Sequence, residues 1–227
     1  MKPFETLDQS TTPDGKTLAL LRRDGGYYIF LDGEELMATR SPGSELALAQ
    51  LGCEGLTATA PRVLIGGLGL GFTVKAALEA LPPKAKVVVA ELSEAVIRWN
   101  RTYFVELQGG ALEDRRVEIR QGDVWKQILE GGPWDAVLLD VDNGPSAFCL
   151  DANGRLYGRK GLERIRQALV PGGRLAVWSA FSDPDFVRRL KKSGFDARAR
   201  TVRARGTKGH RHTVFLALSR RRNQDLH

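Results

Sequence analysis

The chain has 227 residues, 42% hydrophobic and 27% charged, with a formal net charge of +7 and two cysteines. This suits one domain with an appendage, or two small ones, with enough apolar residues for a sizeable core. No apolar run approaches the roughly 20 residues that cross a bilayer. The stretch from Met1 to Asp8 lacks the apolar core of a secretory leader, and Cys53 and Cys149 show neither metal-ligand spacing nor a disulfide framework. The expectation is a cytoplasmic protein with no membrane partner. Charge is uneven: residues 188–222 hold thirteen Lys or Arg against one acid, Asp196, so the +7 divides into +12 there and −5 elsewhere.

The first forty residues alternate polar and apolar positions between turn signals at Pro13-Asp14-Gly15, Asp24-Gly25-Gly26 and Asp32-Gly33. The pattern predicts antiparallel strands at Thr17–Arg23, Tyr27–Leu31 and Glu34–Thr39. A helix follows from Ser44 to Leu51, capped by Ser41 or Ser44. From Arg62 onward, strands at 62–65, 86–90, 117–120, 136–139 and 173–178 alternate with helices near 71–81, 93–104, 123–130 and 158–169. Pro171-Gly172-Gly173 makes a sharp stop before the fifth of these strands. After a helix at 184–193 come two more strands, 195–203 and 212–219. In the first, Asp196, Arg198 and Arg200 alternate with Phe195, Ala197 and Ala199, as at a sheet edge. The second is continuously apolar over Thr213–Leu218, as in a sheet interior. The short link Ala204–Arg211 makes them a hairpin. The fold expected is α/β. It has a small N-terminal antiparallel β domain with a linking helix over 1–55, a Rossmann-like seven-stranded doubly wound sheet over 56–222, and a tail over 223–227.

In open α/β sheets, ligands gather beyond the carboxyl ends of the strands. After Val63-Leu64-Ile65 come Gly66, Gly67, Gly69 and Gly71, then a helix. This geometry lets backbone approach a nucleotide where a Cβ would intrude. Glu91, at the end of Val87–Ala90 and followed by Leu92, stands where an acid binds ribose hydroxyls. Gly122-Asp123-Val124 follows the third strand, and the Asp123 carboxylate suits an adenine amino group. The rival readings are a glycine turn made for packing and Asp123 as a helix N-cap.

Asp140 and Asp142 follow the fourth strand and, two apart in extended chain, point the same way. Such a pair can orient an amine and take its proton; turn formation through Asp-Asn-Gly-Pro and a metal site are the alternatives. Residues 143–158 lack periodicity and read as a rim loop or lid, with Phe148, Leu150, Leu156 and Tyr157 lining a pocket or anchoring the loop. Most of the four tryptophans read as core, with Trp125 the one placed to cover a base. His210-x-His212 supplies only two metal ligands, so no metal site is assigned. If strand 195–203 runs parallel to its neighbours, the basic loop 203–212 overhangs the substrate entrance and attracts anions; the alternative is a solvated surface.

Val63–Gly71, Val88–Leu92, Val117–Asp123 and Trp134–Pro145 resemble the successive motifs of spermidine synthases, within the class I S-adenosylmethionine-dependent methyltransferase fold. Leu31-Asp32-Gly33 and the strands around it are similar to the small β domain preceding that fold. The resemblance implies that Gly67, Gly69 and Gly71 face the methionine-derived part of the cofactor, Glu91 the ribose and Asp123 the adenine. Asp140 falls at the catalytic aspartate that deprotonates the attacking amine. Two departures stand out. Asn143, Gly144 and Pro145 replace the family's second acid and proline, with the extra acid at Asp142. The segment Ser41-Pro-Gly-Ser-Glu-Leu-Ala supplies Glu45 without the aromatic or histidine partner that helps hold the polyamine.

The reading reached is a spermidine synthase-like transferase that binds S-adenosylmethionine or its decarboxylated form. Methyl transfer to a small amine or an anionic acceptor is preferred over aminopropyl transfer. A nucleic-acid-binding module acting through residues 188–222 is the non-enzymatic alternative. An NAD-dependent oxidoreductase is disfavoured, because Asp123 and the Asp140 loop have no task in it. The exposed β domain leaves a homodimer open.

Overall fold

The computed structural model describes residues 2–12, 14–141, 155–205 and 208–220. Two sheets organise it. Strands β1 (Glu5–Thr11), β2 (Thr17–Arg23), β3 (Gly26–Leu31) and β4 (Glu34–Ala38) form an antiparallel N-terminal sheet in chain order. Asp24 and Asp32 take positive φ beside Gly25 and Gly33, so both tight turns form where the sequence places them. Strand β1 goes beyond the three strands expected. Its sequence Glu-Thr-Leu-Asp-Gln-Ser-Thr is mostly polar, and pairing with β2 from Glu5↔Arg22 to Thr11↔Thr17 holds it as an edge strand.

The second sheet contains β5 (Arg62–Gly66), β6 (Lys86–Glu91), β7 (Val117–Gln121), β8 (Trp134–Leu139), β9 (Leu169–Ser179), β10 (Phe195–Arg205) and β11 (Lys208–Ser219), in the order β10-β11-β9-β8-β5-β6-β7. Strand β11 is antiparallel to both neighbours. Its apolar run is therefore interior, β10 is the edge, and β10 runs parallel to the remaining strands. The two strands reach closer than the Ala204–Arg211 link suggested.

Helices α1 (Gly43–Cys53), α2 (Phe72–Ala80) and α3 (Glu94–Thr102) cover one face through Leu48, Ala77 and Trp99. Helices α4 (Val124–Gly131), α5 (Arg159–Ala168) and α6 (Pro184–Lys192) cover the other through Ile128, Ile165 and Phe186. Each fully buried Leu, Ile or Phe in these layers stabilises the fold by about 1.5–3 kcal/mol. The N-terminal sheet shares the first core through Leu18, Leu20 and Ile29. It is also tied down by Asp8, which accepts from Trp99 Nε1 at 2.7 Å and pairs with Arg98 at 2.7 Å.

Two local expectations are corrected. Helix α1 begins after Pro42 with no side-chain cap, because the Ser44 hydroxyl donates to Glu45 Oε2 at 2.5 Å instead. Pro171-Gly172-Gly173 lies inside β9, at a register shift against β8 between Trp134 and Ala136, so it is an irregular strand start rather than a stop before one. Helix α1 also packs on the second sheet: a Cβ on Gly52 would collide with Leu138 and crowd Ala176. Among the described residues, no helix is long and apolar enough to cross a membrane.

Candidate functional site

The glycine turn closes β5 at the carboxyl edge of the sheet. Gly67, Gly69 and Gly71 have φ of +91°, +52° and +83°, a region that side chains rarely adopt. A Cβ on Gly67 would collide with the Asp140 carbonyl, so this glycine sets how closely the turn approaches the end of β8. Asn100 Nδ2 donates to the Gly69 carbonyl at 2.7 Å. Met37 of β4 lies over the same glycine, its sulfur 3.2 Å from where a Cβ would stand. Helix α2 starts at Gly71 without a side-chain cap, leaving its first amides to the site.

The next strand ends are joined to this turn. Glu91 Oε2 accepts from the Leu68 amide and Oε1 from the Ser93 amide, both at 2.8 Å. Burial pushes the Glu91 carboxyl up, and the backbone amides of Ser93, Leu68, Gly69 and Leu92 oppose the shift. Leu92 beside it is 56% exposed, an apolar side chain open on the rim. The Gly122 amide donates to the Glu91 carbonyl at 2.8 Å. Asp123 does cap α4, accepting from the Trp125 amide at 2.8 Å, while its other oxygen pairs with Arg155. The Arg155 guanidinium lies 6.0 Å from the Trp125 ring. Val124 is buried against Gly66, where a Cβ would stand 2.7 Å from Val124 Cγ2. Gly66, Gly67, Gly69, Gly71, Glu91, Leu92, Gly122, Asp123 and Val124 thus form one continuous rim. Asp142, Asn143, Phe148 and Leu150 lie outside the described residues. Leu156 and Tyr157 are buried in the second core, Tyr157 with its ring 5.7 Å from Phe186, so these two anchor the chain.

Asp140 stands where this rim meets α1. Its amide donates to the Gly66 carbonyl at 2.8 Å, and its Oδ2 accepts from the Thr73 hydroxyl at 2.7 Å. Burial and then the charge of Glu45 raise the Asp140 carboxyl to about 7, against the Thr73 hydrogen bond. Glu45, in the first turn of α1, is itself raised by burial. The second acid of this corner is therefore Glu45, ninety-five positions away in sequence.

Three further side chains were not read as site residues from the sequence. Thr73 is one. The β8–β9 register pairs Leu139 with Val177, so Asp140 and Trp178 leave their strands side by side. The Trp178 ring meets His212 edge-on at 4.9 Å. Trp178 Nε1 and His212 Nδ1 are both closed off from solvent with no hydrogen-bond partner. Strand β10 ends against the start of α1: a Cβ on Gly43 would stand 2.6 Å from the Arg203 carbonyl, and Arg205 Nε donates to Ser41 Oγ at 3.2 Å. The basic hairpin therefore reaches the rim of the acidic corner.

No family model matches the chain. It is 26% identical over 183 residues to a polyamine aminopropyltransferase of Corynebacterium efficiens, covering 78% of this chain and 34% of that protein. It is 34% identical over 121 residues to one of Nitrosomonas europaea, covering 51% and 34%. The chain thus spans about a third of the length of these curated relatives. Two spermidine synthase structures share the fold, each covering 94% of this chain and 72% of theirs. One is from Thermotoga maritima (TM-score 0.74, 19% identity) and the other was solved with the transition-state analogue AdoDATO (0.73, 18%). These findings do not support the preference for methyl transfer. That preference rested on the missing aromatic partner of Glu45 and on the basic rim, whereas the fold brings Glu45 close enough for its charge to act on Asp140. The chain thus has the class I methyltransferase-like fold of these spermidine synthase structures, and its sequence is similar to polyamine aminopropyltransferases over 51–78% of its length.

Proposed function

We propose that this protein is a transferase that moves an aminopropyl group from decarboxylated S-adenosylmethionine to a small amine. The observation that carries this reading is the Glu45–Asp140 pair beside Gly67: two carboxylates whose mutual repulsion is relieved by a cationic amine. The rim fits the nucleoside. The turn has room only for glycine at Gly67, Glu91 is fixed at the strand end by backbone amides on both its oxygens, and Leu92 offers an apolar surface to a flat base. Asp123 borders the adenine position, with Arg155 its present partner.

The sulfonium supplies an electrophilic carbon and a neutral thioether leaving group. The chain's residues supply position and proton transfer, and alignment is the larger share of such a displacement. The amine nitrogen attacks the carbon next to sulfur, the carbon–sulfur bond breaks with its electron pair going to sulfur, and the amine proton passes to Asp140. A carboxyl near 7 is half-ionised at working pH, which suits a general base. Thr73 holds one Asp140 oxygen, leaving the other for the amine.

The test is turnover with each donor in the presence of a panel of small amines. Release of methylthioadenosine from the decarboxylated donor is expected. Release of S-adenosylhomocysteine from S-adenosylmethionine would return the reading to methyl transfer. A second reading keeps one observation. Among the described residues, Arg198, Arg200, Arg203, Arg205 and Arg211 of the hairpin form no ion pair, whereas Arg188 and Arg189 of the preceding helix pair with Asp185 and Asp183. Nucleic-acid binding through residues 188–222 would show as affinity falling steeply with salt.

A further inference from the structure

The corner that receives the acceptor is not acidic throughout. Glu45 and Asp140 occupy one side. One residue over in the sheet stands Trp178, whose buried Nε1–H has no partner, and His212, whose buried Nδ1 has none either. Leaving a buried polar atom without a partner costs about 1–3 kcal/mol, and these two belong to adjoining rings 4.9 Å apart. An indole N–H can only donate. It cannot be satisfied by an ammonium group, which carries no lone pair; it needs an atom with a lone pair, such as a carboxylate oxygen.

The surrounding charges have the same sign requirement. Burial and His210 hold the His212 imidazole below its usual range, so it stays neutral near pH 7. The end of β10 brings Arg205 to Ser41 at the start of α1, and Val202 pairs with His212 in the β10–β11 register. Arg203 and Arg211 pair at the next register position and so point to the other face of the sheet, which leaves Arg205 as the guanidinium on this side. Arg205 has no acidic partner among the described residues. A second ammonium group, as in a diamine, would meet an indole donor and this guanidinium. A carboxylate would meet what it needs: one directed donor, a neutral imidazole and a guanidinium at the rim.

We infer that the acceptor is an amino acid-like molecule, with its amine held by Glu45 and Asp140 and a carboxylate at its other end received by Trp178, His212 and Arg205. This deepens the transferase reading and rests on it for the role of the amine end. Trp178, His212 and Arg205 then determine specificity, without taking part in bond breaking.

The test is calorimetric titration of the whole protein, saturated with 5′-methylthioadenosine, with 4-aminobutanoate and with 1,4-diaminobutane, which share chain length and differ at one end. The amino acid is expected to bind roughly ten- to hundredfold more tightly, the worth of a hydrogen bond to a charged group. Trp178→Phe keeps an aromatic side chain and removes the donor, and Arg205→Gln changes an exposed side chain; each is expected to erase most of the preference, and Arg205→Lys to restore part of it. In turnover, Arg205→Gln should raise KM for the amino acid and leave kcat unchanged. Tighter binding of the diamine, binding of neither, or a preference unmoved by both variants would overturn the inference. The two readings separate cleanly. A preserved amino acid preference without methylthioadenosine release from the decarboxylated donor would remove aminopropyl transfer and leave this subsite standing.

Discussion

The proposed nucleoside rim and the proposed acceptor corner sit at the same edge of one sheet, yet they are built differently. The rim is made from short contiguous motifs at the ends of β5, β6 and β7, and backbone does most of the holding: the Leu68, Ser93 and Trp125 amides position Glu91 and Asp123. The corner is made from side chains of five elements or their loops, Glu45, Thr73, Asp140, Trp178 and His212, and its two carboxyls, both raised, are close enough for the charge of one to act on the other. One half is fixed by turn geometry, the other by tertiary arrangement. Substitutions in the rim should therefore act mainly on folding and donor affinity, and those in the corner on turnover and acceptor choice.

The largest expected separation comes from Asp140→Asn. Losing the base should lower kcat by about 10²- to 10⁴-fold, with methylthioadenosine affinity little changed; steady-state kinetics beside calorimetry gives both numbers. The same variant has a signed effect on stability. A carboxyl raised in the folded state favours folding when protonated, and that contribution is lost as pH rises from the unfolded value of 3.8 through about 7. Asp140→Asn should therefore raise Tm at pH 8, with the gain shrinking toward pH 4. An equal gain at both pH values would mean that Asp140 does not titrate between them.

Gly67→Ala is the matching change in the rim. A side chain at φ +91° costs about 1–3 kcal/mol before the collision with the Asp140 carbonyl is counted. By the usual scaling, 1 kcal/mol is roughly 2–4 °C for a chain of this size, so Tm should fall by several degrees. An unchanged Tm would show that the turn relaxes freely. Glu45→Gln should move the acidic limb of the pH–rate profile to lower pH, because a like charge is removed from Asp140. It should also raise the acceptor KM. The smallest effect belongs to Leu92→Ala, a few-fold rise in donor KM with no change in acceptor KM; a change in both would mean that the two halves are coupled.

The same contrast explains what the sequence makes legible. The glycine turn, Glu91, Asp123 and the interior position of β11 follow from local pattern, because strand ends and turn residues carry their own chemistry. Strand β1 did not, because its residues are polar and pairing with β2 supplies its order. The capping of α1 was misread because the Ser44 hydroxyl goes to Glu45 rather than to backbone. Trp178 and His212 meet only because β11 inserts beside β9, a juxtaposition that no spacing in the chain displays. Glu45 was visible as an acid without a partner; its partner, Asp140, lies across the sheet.

The acceptor corner depends on Glu45 and Asp140 acting as one acidic site, and the most direct check is to titrate the Asp140 carboxyl by carbon NMR in the wild type and in Glu45→Gln. A midpoint near 7 is expected in the wild type, moving down both in the variant and on addition of a bound amine. A midpoint near the ordinary value of 3.8 in both proteins would contradict the account.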